Sequence, residues 1–160
     1  MYKLFGTLNI PGDKSVSHRA LILSSMSVGK SEITNLLEAD DIKATIQILK
    51  QLGIRIYKKS GKWIVYGNGT NGYLQPKKDL NALNSGTTAR TLIGAVSSNP
   101  INCRFVGDKS LSKRSMSRVT RYLEKLGARF KLTKNDYLPL ETIGSDKLVP
   151  EEIIINKPSA

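Results

Sequence analysis

Two pairs of segments recur in the same order along this chain, and that recurrence limits the possible folds more than any single motif. SVSHRALI (15–22) aligns with GTTARTLI (86–93), and ILKQLGIRI (48–56) aligns with YLEKLGARF (122–130). A self-similar period of roughly 70 residues indicates tandem supersecondary copies that bury a shared face. Each copy reads helix, strand, helix, hairpin. In the first copy, 16–27 forms a broad apolar helix through Val16, Ala20, Leu21, Leu23 and Met26, and 31–36 forms a short strand. A second helix then starts with Asp40 as its cap, places Ile42, Ile46 and Leu49 on one face, and stops at Gly53. IRIYKK and KWIVYG pair as a hairpin turning at Ser60-Gly61. Residues 68–82, rich in Gly, Asn, Pro and Lys, read as a loop. The second copy opens a helix over 84–98 and continues with a strand at NCRFVG. A helix follows with Met116, Val119, Leu123 and Leu126 on one face, and then a hairpin from ARFKLT and LPLETI. Residues 2–10 read as a strand ending at Pro11-Gly12, and EEIIIN as another.

The expected fold class is α/β in the α+β sense, with about two tandem repeats. Repeat one covers about 14–67 and repeat two about 84–156. The start of a third at 157–160 is read as a copy cut short. Hydrophobic content of 39% and charged content of 24% fit a globular chain rather than a disordered one. A formal charge of +12 favours anionic partners such as nucleic acid, acidic lipid or phosphorylated metabolites. The lone Cys103 excludes an internal disulfide framework and fits a reducing compartment. No apolar run approaches a membrane span, and the N-terminus lacks a signal-peptide core, so a cytoplasmic protein without membrane partners is expected.

Chemistry-bearing residues gather at the helix starts. Lys14, Ser15 and Arg19 cluster at the first, and Asn84, Ser85, Gly86, Thr87 and Arg90 at the second. A helix start offers unpaired N–H groups and the positive end of the macrodipole, so it favours anions. Gly86 lets backbone approach a ligand, and an Arg one turn inside each start can curl back toward the same anion. GDKSLSKRSMSR adds Lys109, Lys113, Arg114 and Arg118. Taken singly, such a start is an N-cap with solvated charges. GDKS is no phosphate-binding P-loop, because the required glycine spacing is missing. His18 reads as an exposed helix residue, Cys103 as a small buried hydrophobe, and Trp63 and Tyr66 as hairpin residues. Asp40 and Asp41 read as caps rather than a catalytic pair.

Four motifs together are more specific. PGDKSVSHRALIL, LNSGTTARTLIG, GDKSLSKRSM and the terminal NKPSA, in this order and spacing, resemble the N-terminal part of the 5-enolpyruvylshikimate-3-phosphate synthase family (3-phosphoshikimate 1-carboxyvinyltransferases). The resemblance implies transfer of the enolpyruvyl group of phosphoenolpyruvate to the 5-hydroxyl of shikimate 3-phosphate, without metal or organic cofactor. It also implies two domains, each of three βαβαββ units, with the active site between them. Residues 1–10 would then be a strand belonging to the other domain, and 11–160 a partial domain. By motif position, Lys14 and Arg114 are implied as catalytic and phosphoenolpyruvate-binding residues, with Asn84 and Gly86 lining the same site and Arg90 supporting that loop. Lys14, Ser15, Arg19, Ser159 and Ala160 are implied for shikimate 3-phosphate. Ser115 stands where the family usually has Pro. The family's acid/base carboxylates have no counterpart among these motifs, so the chain alone is expected to be inactive and to need the C-terminal part of the same enzyme as a partner. A sister family acting on UDP-N-acetylglucosamine fits less well, since it places a Cys in the loop matching GDKSLSKR. A basic nucleic-acid-binding module built on SKRSMSRVTRYLEKLGARFK is the alternative from another class; few aromatics interleave its basic residues.

Overall fold

The computed structural model describes residues 5–133 and 136–155. Two units follow one another. The first comprises α1 (Lys14–Met26), β1 (Val28–Ile33), α2 (Asp40–Gln51), β2 (Arg55–Lys59) and β3 (Lys62–Asn68). The second comprises β4 (Leu80–Asn81), α3 (Gly86–Val96), β5 (Cys103–Val106), a 3-10 turn (Leu111–Lys113), α4 (Ser117–Lys125), β6 (Arg129–Lys131) and β7 (Leu140–Ile143). The sheets run β1-β3-β2 and β4-β5-β7-β6. Within β1-β3-β2 and β5-β7-β6 every pairing is antiparallel, so corresponding strands take corresponding places. The short β4 pairs parallel to β5, with Leu80 opposite Phe105, and falls inside the stretch expected to be loop.

The helix stops repeat as closely as the sheets. Gly53 and Gly127 have φ of +87° and +95°. In each, the glycine N–H reaches the carbonyl three residues back and the next N–H reaches the one five back: Gly53 to Lys50, Ile54 to Leu49, Gly127 to Glu124, Ala128 to Leu123. This paired capping requires a left-handed residue, which the Leu-Gly of both aligned segments supplies. The β2–β3 hairpin turns at Ser60 and Gly61, both at positive φ, the two-residue turn that matches strand twist. Trp63 and Tyr66 lie on β3, as expected.

One apolar core serves both units, with Leu21, Ile42 and Leu49 from the first joined to Leu92, Phe105, Met116 and Leu140 from the second. Cys103 is buried in it, and burial pushes its thiol up to about 11. The described part of the N-terminal segment, 5–10, has no strand, contrary to expectation, and neither has 151–155. Phe5, Leu8, Ile10, Ile154 and Ile155 are all exposed. Apolar alternation alone does not make a strand; a partner must satisfy the backbone groups, and none of the described strands pairs with either segment. The 157–160 repeat start lies outside the described residues.

α1 begins earlier than its apolar pattern suggests. The Asp13 carboxylate accepts the Val16 N–H at 2.7 Å and caps the helix, so Lys14 and Ser15 fall within its first turn. Asp40 is not a cap: Ala39 holds that position, and Asp40 and Asp41 occupy the first turn of α2, where carboxylates complement the macrodipole. His18, expected at the surface, is fully buried. It shares a face with Leu21, Ile22 and Ser25, whereas Val16 and Leu23 point outward.

Candidate anion-binding site

The starts of α1, α2 and α3 converge. Lys14, the first residue of α1, pairs through Nζ with Asp41 of α2 at 3.2 Å. The Thr88 hydroxyl, in the first turn of α3, donates to the Asp41 carbonyl at 3.1 Å. Sequence spacing anticipates the first and third starts; the α2 start, placed between them, is an addition. At α3, Ser85 is the cap and its hydroxyl accepts the Thr88 N–H at 3.1 Å. Arg90 curls back as its spacing suggests, so that a Cβ on Gly86 would lie 2.7 Å from Arg90 Nη1. Arg90 also donates through Nη2 to the Ser115 carbonyl at 3.1 Å. Its Nε is buried with no hydrogen-bond partner among the described residues. Burial first, then the neighbouring Arg118 and Arg114 charges, lower its pKa. Arginines crowded this closely attract an anion.

Asn84 joins the third basic cluster to this helix start. Arg114 Nη2 donates to Asn84 Oδ1 at 3.0 Å and to Ser110 Oγ at 3.1 Å. Asn84 Nδ2 in turn donates to Asp108 Oδ2 at 2.8 Å. Asp108 also accepts the Leu111 N–H at 2.7 Å. That backbone bond, then Asn84, then the Arg114 charge hold its pKa below the usual carboxylate range against partial desolvation. Asp108 therefore fixes the Asn84 amide with its carbonyl toward Arg114. Asp108 is absent from the candidates above, although the sequence carries a signal for it. GDKS occurs at 12–15 and again at 107–110, and both Asp residues accept the N–H three residues on.

The structure thus links Lys14 to Asp41, Gly86 to Arg90 and Asn84 to Arg114. It leaves Arg19 on the exposed side of α1 with Val16 and Leu23. Among the described residues no hydrogen bond joins Ser15 or Arg19 to the other candidates. Ser159 and Ala160 lie outside the described residues. Among the described residues no three His, Cys, Asp or Glu side chains group as metal ligands would, and no helix is long and apolar enough to cross a membrane.

Comparison with known proteins gives this geometry a family. The model of EPSP synthase (3-phosphoshikimate 1-carboxyvinyltransferase) matches residues 1–160. The chain belongs to the EPSP synthase family. A 3-phosphoshikimate 1-carboxyvinyltransferase from Zymomonas mobilis is 43% identical over 150 residues, covering 93% of this chain and 33% of that protein. One from Oenococcus oeni is 44% identical over 145 residues, covering 91% of this chain and 33% of that protein. The solved EPSP synthase from Acinetobacter baumannii superposes with a TM-score of 0.91 at 34% identity, covering 97% of this chain and 36% of that one. The chain spans about a third of the length of the curated relatives it matches. The α+β architecture described above is therefore that of part of an EPSP synthase. None of these relatives is named for binding nucleic acid.

Proposed function

We propose that this chain supplies one wall of a site that transfers the enolpyruvyl group of phosphoenolpyruvate to the 5-hydroxyl of shikimate 3-phosphate. C3 of phosphoenolpyruvate gains a proton and becomes a methyl group while the shikimate 5-oxygen bonds to C2 and loses its own proton, giving a tetrahedral adduct. The C2–O bond to phosphate then breaks, inorganic phosphate leaves, and loss of a methyl proton restores the double bond. Both reactants are multiply charged anions. Two like charges 4 Å apart repel by about 4 kcal/mol at an effective dielectric of 20, so a site holding both must offset that repulsion. The convergence of helix starts with Lys14, Arg90 and Arg114 is the observation that carries the reading.

In this reading Arg114 binds the phosphoenolpyruvate phosphate. Its hydrogen bonds to Asn84 and Ser110 both run through Nη2, and the reading assigns Nη1 and Nε to the phosphate. Lys14, half-exposed and oriented by Asp41, lies between the two substrates, with Asn84 and Gly86 lining the phosphoenolpyruvate side and Arg90 supporting that loop. Ser15 and Arg19, one turn apart on exposed α1, take shikimate 3-phosphate, together with Ser159 and Ala160. Asp41 and Asp108 are engaged by Lys14 and Asn84, so proton transfer is assigned to groups on the opposite wall. That wall comes from the remainder of such an enzyme, of which this chain spans about a third. No cofactor enters this scheme. The setting is cytoplasmic, which the single buried, protonated Cys103 supports.

Titration of the 15N-labelled chain with shikimate 3-phosphate, then phosphoenolpyruvate, tests the reading. Amides of residues 14–19 are expected to shift with the first and those of 84–90 with the second. Shifts confined to the β2–β3 turn would refute it.

A further inference from the structure

Beneath the charged rim lies a buried chain of uncharged polar groups that the proposed chemistry does not use. His18 on α1, Thr45 on α2 and Thr88 on α3 are all fully buried. His18 Nδ1 lies 2.8 Å from Thr45 Oγ1. Thr45 Oγ1 lies 2.9 Å from Thr88 Oγ1, which lies 2.8 Å from the Ser85 hydroxyl. The chain therefore crosses three helices within their first two turns and ends on the cap of α3.

Proton bookkeeping gives it a direction. His18 Nε2 is buried and has no hydrogen-bond partner among the described residues. A proton there would be an unpaired buried donor, whereas an unprotonated Nε2 leaves only a lone pair unsatisfied, the more tolerated case. Neutral His18 therefore carries its proton on Nδ1 and donates to Thr45. The Thr45 hydroxyl hydrogen is then available to Thr88 at 2.9 Å, the shorter contact, or to the Asp41 carbonyl at 3.3 Å, and that of Thr88 to the Asp41 carbonyl at 3.1 Å or to Ser85. Reversing the first bond would strand a proton on Nε2.

We propose that His18, as the Nδ1–H tautomer, is a positioning residue that sets the α1 start against the α3 start through Thr45 and Thr88, so that Lys14 and the Gly86 end of α3 meet one shared anion. This rests on the functional reading above. His18 lies one turn inside α1 from Lys14. Asp41, which pairs with Lys14, is also the residue whose carbonyl receives Thr88. The pull of a helix start on an anion fades within its first turn, so two starts share a ligand only when their separation is fixed to about half an ångström. Three helix ends carrying mobile Lys and Arg side chains do not fix that separation; a buried hydrogen-bonded chain does.

The test is sulfate titration of the full 160-residue chain, read from the amides of 14–19 and 85–88, with the His18 ring nitrogens recorded in the same samples. Wild type is expected to give one common Kd for both segments and an Nδ1–H imidazole. His18→Leu is expected to weaken sulfate binding by about ten-fold, the affinity equivalent of one hydrogen bond's worth of preorganisation. Thr45→Val, which removes only a hydroxyl at nearly unchanged volume, is expected to do the same and decides the matter should His18→Leu not fold. His18→Asn, whose Nδ2 donor can replace Nδ1–H, is expected to restore affinity to within about two-fold. An unchanged Kd in the folded Thr45→Val variant, or an Nε2–H tautomer in wild type, overturns this inference and leaves the functional reading intact. Wild type showing no sulfate-dependent shifts at either segment overturns the functional reading, and this inference with it.

Discussion

Replacing Gly86 by Ala separates stability from ligand binding at the start of α3. The added Cβ would sit 2.7 Å from Arg90 Nη1 and 3.7 Å from Leu111 Cδ1. The Leu contact is ordinary; the Arg contact is not, and the guanidinium must retreat to about 3.4 Å. Arg90 is not free to swing without loss, because its Nη2 bond to the Ser115 carbonyl is already 3.1 Å long. Losing that bond costs about 1 to 2 kcal/mol, since its donor is charged and half-buried. The Ala backbone preference offsets part of this, less than the roughly 1 kcal/mol of a helix interior because Gly86 is the first helical residue. The net expectation is a loss of about 1 kcal/mol, or about 2–4 °C in Tm for a chain of this size. Anion affinity should fall further, by more than about ten-fold, because the methyl group separates the helix start from the guanidinium that closes over it. Thermal melts measure the first effect and sulfate titration the second. An Ala variant that binds sulfate as tightly as wild type would show that Gly86 and Arg90 do not jointly hold the anion.

Three further outcomes are expected. His18 is the sole histidine, and burial, reinforced by Lys14 and opposed by Asp41, lowers its pKa below 6.5 in the folded state. The unfolded chain therefore binds more protons below pH 6.5, so stability falls as pH drops from about 6.5 toward the depressed folded value, by at most about 1.4 kcal/mol per unit. Urea melts from pH 7.5 to 5 should show that slope, and His18→Asn should abolish it. Asp13→Ala removes the carboxylate that caps α1 and should cost about 1 kcal/mol in the same melts; no change would mean that another group caps the helix. The 160-residue chain alone should release no phosphate from phosphoenolpyruvate and shikimate 3-phosphate, because one wall neither excludes water nor supplies the proton-transfer groups. Turnover that disappears in Arg114→Ala would refute this.

Where local chemistry dictates structure, the sequence was readable. Ser60-Gly61 can make only a tight turn between two alternating runs, and the Leu-Gly of each repeat stops its helix through the same pair of hydrogen bonds. Misreadings arose where tertiary neighbours decide. EEIIIN has the β-branched run of a strand, yet 151–155 forms none, because pairing depends on a neighbour rather than on composition. The two-residue β4 is too short to leave a pattern and exists because β5 offers it an edge. His18 reads as exposed because hydrophobicity alone does not mark the buried face of α1. That face carries Ser17, His18 and Ser25 beside Leu21 and Ile22, so only the packing of α1 against its neighbours reveals it.

The same contrast explains how the proposed site would divide its work. Ion pairs at its rim, such as Lys14 with Asp41, are exposed enough to remain solvated and to be rearranged by a ligand. Charges used for positioning would have to be buried, where desolvation costs more than their attraction returns. Neutral hydrogen bonds avoid that cost, and the His18–Thr45–Thr88 chain uses only neutral groups. The residues proposed to bind charge therefore stay at the surface in readable basic motifs, while those proposed to set distances are uncharged, buried and scattered over three helices. Only the first kind can be recognised from a short stretch of sequence. The second becomes visible when the helices are packed and their hydroxyls meet.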